Sequence, residues 1–131
     1  MVVTQTEHLD TLVTNSYHRE KEVYQYQVNV DNYTVMLTGL PQDNIPTSLA
    51  NYANTEIHDL PWDMDDADVQ MIAQYQYRNK LRSLLRSEKV EQNKARLILE
   101  ALKAQVVAGG LDYPTVIAEK KIVEDAKLVT V

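Results

Sequence analysis

The chain reads as an α+β protein that is predominantly helical: an N-terminal helix and a β-hairpin, then two long helices or one continuous helix, then a C-terminal helix. Three observations predict this. Apolar residues recur at helical spacing near the start, a stretch after them alternates with period two, and the run from Asp63 to Val107 contains neither glycine nor proline. With 131 residues, 44% of them hydrophobic and 24% charged, the chain is expected to bury one core as a single domain over 1–131.

The first helix is expected over 5–17. Thr4 and Glu7 have the spacing of a capping box, and Leu9, Leu12, Val13 and Tyr17 follow at intervals that put them on one face. Over 22–38 the period changes. Tyr24, Tyr26, Val28 and Val30 alternate with Gln25, Gln27 and Asn29, Asp31-Asn32 supplies two turn residues, and Tyr33 to Thr38 returns. In that hairpin Val30 would face Tyr33, Val28 would face Val35 and Tyr26 would face Leu37. Its other face, Gln25, Gln27, Asn29 and Thr34, is polar and uncharged, an edge open to strand addition.

Residues 39–62 hold Gly39, Pro41, Pro46 and Pro61 without a sustained period, and read as a contact loop with one or two helical turns after Pro46. The helical part is expected over 64–107. Its first turn is crowded with Asp63, Asp65, Asp66 and Asp68, where carboxylates meet exposed amides and the positive end of the helix dipole. One apolar stripe runs from Val69 through Ile72 and Leu81 to Leu85, and a second from Val90 through Leu97 to Val106. The polar interval Arg86 to Asn93 between them predicts a helical hairpin broken near Ser87, with one helix of about 63 Å as the alternative. Gly109-Gly110 ends this region, Pro114 opens a last helix over 113–128, and Leu128 to Val131 is β-prone.

The net charge of -6 is unevenly placed. Residues 1–68 carry 2 basic and 12 acidic side chains, whereas 69–131 carry 11 basic and 7 acidic. Halves of opposite sign attract each other or a neighbouring copy. The acidic balance argues against a nucleic-acid partner, and Tyr75 and Tyr77 lack the basic sheet on which bases usually stack. No apolar stretch is long enough to cross a membrane, and the opening MVVTQTEHLD lacks the charged and apolar regions of a secretory signal. The expected location is the cytoplasm or the interior of a virion.

Chemistry-bearing patterns are few. The chain has no cysteine, which removes thiol nucleophiles and Cys-based zinc sites, and it lacks HExxH, GxSxG, P-loop and dinucleotide-binding motifs. Read from Asp63 as a calcium loop, the sixth and twelfth places are Asp68 and Gln74 where Gly and Glu are needed. No metal, no cofactor and no catalytic residue is assigned, and the chain is expected not to be an enzyme.

The candidate residues are interaction residues. Arg78, Arg82 and Arg86 lie four apart along the long helix and offer guanidinium forks to carboxylates. Asp59, Asp63, Asp65, Asp66 and Asp68 offer those carboxylates. Trp62, Tyr24 and Tyr26 join a large apolar body to a polar tip, as interfaces favour. The expectation is a subunit that holds other proteins, as a homo-oligomer or in a hetero-assembly such as a phage particle or tail, or as an adaptor. The alternative is an acidic regulator that binds a basic protein or masks a nucleic-acid-binding site.

Overall fold

The structure is a computed structural model that describes the backbone of residues 2–40 and 44–129, with side chains from residue 7 onward. It contains three α-helices: α1 (Val2–Thr38), α2 (Asp66–Ala108) and α3 (Tyr113–Val129). Two 3-10 turns, Thr47–Tyr52 and Ile57–Asp59, lie between α1 and α2. Among the described residues there is no strand, so the fold is all-helical and the α+β expectation is corrected. The chain divides into two compact units, Met1–Gln27 with Val90–Val131, and Val28–Lys89.

The hairpin expected over 22–38 is the last half of α1. The same residues satisfy two periods. Val23, Tyr26, Val30, Tyr33 and Leu37 are spaced three and four apart, and all five are buried or half-buried. The alternation that suggested a strand would put Tyr24 beside Tyr26, but the helix turns Tyr24 into solvent. Without glycine between Val2 and Thr38, the Asp31-Asn32 pair cannot easily take the positive φ angles of a tight hairpin turn, and the helix runs through it. Hydroxyl side chains are accommodated by donating back one turn, as Ser16 does to the Leu12 carbonyl at 2.8 Å and Thr34 to that of Val30 at 2.7 Å. Because α1 starts at Val2, Thr4 is inside the helix backbone rather than ahead of it, and the capping box expected there involves a side chain outside the described residues.

α2 is one helix, without the break expected near Ser87. From Leu81 the inward positions are Leu85, Glu88, Gln92, Ala95, Leu99, Leu102 and Val106, alternately four and three apart. The polar interval supplies two of these inward side chains, and they find polar mates on α1. Gln92 donates to the Gln27 side chain at 2.7 Å, and Glu88 accepts from Asn29 at 3.3 Å. A lapse in hydrophobicity here marks paired polar groups inside a helix contact, because such groups remain helical once their hydrogen bonds are met.

In the unit formed by Met1–Gln27 and Val90–Val131, Leu12 and Val13 of α1 pack with Val106 of α2 and Tyr113 of α3. The end of α2 is a Schellman turn: Leu111 N–H donates to the Val106 carbonyl at 3.3 Å and Gly110 N–H to that of Val107 at 2.9 Å. Gly110 sits at φ 86°, where glycine alone is unstrained. Gly109 has another role, since a Cβ there would overlap the end of the Leu9 side chain. α3 follows at once, with Thr115 donating to the Asp112 carboxylate at its start. Leu128 and Val129 are helical where a strand end was expected, and Thr130 and Val131 lie outside the described residues.

In the unit Val28–Lys89, residues 44–64 fold onto the first turns of α2. Leu49 and Leu60 bury against Ile72, with Ile45, Tyr52, Met64 and Val69 around them. Gln76 of α2 ties the segment down by donating to the carbonyls of Ala53 at 3.2 Å and Thr55 at 2.5 Å. Of the residues expected in the loop, Pro41 lies outside the described ones.

Candidate functional site

The segment from Glu56 to Asp68 is built by the second 3-10 turn and the entry to α2. Leu60 and Met64 face the core around Ile72, which leaves the residues between and beside them outward. Trp62, on the turn between them, is 96% exposed, and Ile57 and Pro61 beside it are exposed too. It does not staple the start of α2. Asp59, Asp63, Asp65 and Asp66 are all exposed, and Asp68 is half-buried in the first turn of α2. His58 lies 3.5 Å from the carboxylates of both Glu56 and Asp59. An indole in water, on a segment whose sequence neighbours Asp59, Asp63, Asp65 and Asp66 are exposed carboxylates, is the most distinctive surface of this unit. Its charge has a wide base: no lysine or arginine occurs from Glu22 to Tyr77.

The three arginines do not share one exposure. Each four-residue step along an α-helix overshoots a full turn by about 40°. Over two steps that drift carries Arg78 to the buried side of α2 while Arg82 and Arg86 face solvent. Arg78 is 4% exposed, with its guanidinium 5.6 Å from the Tyr75 ring centre, in contact with an aromatic face. Arg82 and Arg86 lie on the same flank of α2 as Lys89, also exposed, in a basic surface, whereas Lys80 lies on the other flank. Among the described residues, no ion pair joins Arg82 or Arg86 to the acids of 59–68.

Of the tyrosines singled out from sequence, Tyr24 is exposed on α1 and Tyr26 is half-buried. Tyr17, placed from sequence on the apolar face of the first helix, is buried, and sequence reasoning passed over Tyr113, which carries the buried chemistry. Tyr113 donates to the Glu20 carboxylate at 2.8 Å, and the Lys103 ammonium lies 5.3 Å from its ring centre. Burial raises the Tyr113 hydroxyl well above the usual phenol value, and the hydrogen bond to Glu20 raises it further. The signal available was position: Tyr113 follows directly on a glycine turn and precedes a proline, so it has to enter the core at the helix junction.

Two open grooves lie in the unit that holds α3. One of about 570 Å³ is lined by Leu9, Val13, Leu111, Val116 and Val123, with Asp10, Glu119 and Lys120 as its polar members. The other, about 320 Å³, is lined by Val23, Tyr24, Leu99 and the polar set Glu20, Gln27, Gln92 and Arg96. Arg96 and Gln92 both donate to Gln27, at 3.2 and 2.7 Å, so these three polar groups of the second groove are engaged with each other. Among the described residues, no group of three or more His, Asp or Glu side chains is placed to hold a metal ion, and no helix is long and apolar enough to cross a membrane. Compared with protein-family models, curated proteins and solved structures, the chain gives no match.

Proposed function

We propose that the chain is a non-enzymatic subunit that holds other protein chains, docking through the acidic and aromatic segment 56–68. The observation that supports this best is Trp62. A tryptophan left 96% in water forgoes the burial of its large apolar area, and tryptophan is among the residues most enriched at binding hot spots. The carboxylates around it select a basic partner surface. A second copy offers one in Arg82 and Arg86, with Lys89 on the same flank, so that the acidic segment of one subunit meets the arginines of the next in a head-to-tail contact. The hairpin edge expected as a further contact has no place in an all-helical chain. Such a subunit works in the cytoplasm or inside a particle such as a virion.

Sedimentation across protein and salt concentration tests this. Salt-sensitive oligomers should grow with concentration and fade as salt screens the charges, and Trp62→Ala or the pair Arg82→Glu and Arg86→Glu should abolish that salt-sensitive part. A monomer at millimolar concentration in low salt would exclude this head-to-tail contact. The run from Glu22 to Tyr77 without a basic residue supports a second reading, an acidic regulator of a foreign basic protein. That reading expects no salt-sensitive self-association and a chain that binds a polylysine probe, with binding lost in Trp62→Ala.

A further inference from the structure

α3 turns Tyr113, Val116, Ile117, Lys120 and Glu124 toward its own unit, all buried or half-buried. The opposite side carries Ala118, Ile122, Ala126 and Val129, at spacings of four, four and three that make one straight stripe. Ile122 is 70% exposed and Val129 84%, so large aliphatic residues alternate with alanines along a line in water. Lys121 and Asp125 lie on one flank of it, both exposed.

We propose that this stripe pairs antiparallel with α3 of a second copy. In a two-fold arrangement whatever residue i meets as j, j also meets as i. Setting Ile122 over Ala126 of the second copy puts a large side chain against a small one at both ends, and brings Lys121 of each chain to Asp125 of the other. The flank is therefore self-complementary, and that is what selects a second copy as the occupant. Within one helix, lysine four residues before an acid is the less favourable order. Among the described residues Lys121 and Asp125 form no ion pair in their own chain, while Glu124 takes both Lys120 at 3.6 Å and Lys127 at 3.1 Å. The outer face of α2, with Val90, Leu97, Ala101 and Ala104, is also apolar, but its flanking Arg96 and Glu100 are engaged by Gln27 and Lys103. A pair of helices about 25 Å long buries less than the roughly 800 Å² per partner of a standard interface, so the dimer is weak, with a dissociation constant on the order of 100 μM.

This contact does not depend on the docking of segment 56–68, and salt separates the two, because an apolar seam survives screening. Sedimentation equilibrium in about 0.5 M salt should show a monomer–dimer equilibrium, abolished by Ile122→Glu and unchanged by Leu97→Glu. The charge flank is read at low salt in a chain carrying Asp63→Asn, Asp65→Asn and Asp66→Asn, which removes the other docking. There Lys121→Asp should weaken the dimer roughly tenfold, and Lys121→Asp with Asp125→Lys should restore it. A high-salt monomer at millimolar concentration overturns the proposal, as does a dimer lost in Leu97→Glu but kept in Ile122→Glu. A double swap no tighter than the single change overturns the antiparallel register.

Discussion

Gly109 offers a sharp test of how α1 meets the end of α2. In Gly109→Ala the new methyl would overlap the Cδ2 of Leu9, while the other nearest atoms, the carbonyl oxygens of Val106 and Gln105, stand at ordinary contact distances of 3.4 and 3.5 Å. Overpacking of this kind costs about 1–3 kcal/mol, offset by about 0.4–1 kcal/mol from the reduced freedom of the unfolded chain. The expected net loss is about 1 kcal/mol, or a fall in Tm of roughly 3–6 °C for a chain of this size. Leu9→Ala removes the atom that clashes. In that background Gly109→Ala should become neutral or slightly stabilising, giving a coupling of about 1–2 kcal/mol in a double-mutant cycle. Urea denaturation followed by helical circular dichroism measures all four chains. If Gly109→Ala costs the same with and without Leu9, or costs nothing in the wild-type chain, the close approach of α1 to this turn is wrong.

Val106 is fully buried, so Val106→Ala should lose about 2–3 kcal/mol by the same denaturation, whereas Val107→Ala, on the exposed side of α2, should stay within about 0.5 kcal/mol. Arg78→Ala should destabilise by about 2 kcal/mol or more, and Arg82→Ala and Arg86→Ala should leave melting unchanged, which separates the buried arginine from the two exposed ones. Tyr113 ionises in the folded state only at higher pH than in the unfolded chain, so its contribution is complete below pH 10 and is lost as pH rises through the folded value. Wild-type stability should therefore fall from about pH 10 upward more steeply than that of Tyr113→Phe, and parallel losses would remove Tyr113 as the cause.

What the sequence made legible follows from how many structures its patterns allow. The positions of α3 and of the glycine turn were readable because Gly109-Gly110 and Pro114 permit little else. Residues 22–38 were not, because Val23, Tyr26, Val30, Tyr33 and Leu37 satisfy a three-four spacing while their neighbours Tyr24, Val28 and Val35 complete an alternation. The discriminating sign was continuity: Leu9, Leu12, Ser16, Arg19 and Val23 lead into the same three-four series, and no turn glycine interrupts it. Ser87 looked like a boundary for a related reason. Glu88 and Gln92 lower the local hydrophobicity, and only their partners Asn29 and Gln27, some sixty residues away, show that they point inward. At the candidate site, charge was visible from composition and exposure was not. Arg78, Arg82 and Arg86 share a spacing, but the drift of the helix sends the first inside. The strong exposure of Trp62 follows from Leu60 and Met64 taking the core positions on either side of it, which no local rule assigns.

The single tryptophan has an optical consequence. Trp62 is in water in the folded chain and in water in the unfolded one, so its emission should barely change as the protein melts, and a fluorescence trace would look flat across a transition that dichroism records in full. The same indole lies on the acidic segment where a partner is proposed to land, and covering it would shift its emission toward the blue. Intrinsic fluorescence of this protein is therefore silent about folding and reports on whether something has come to rest on residue 62.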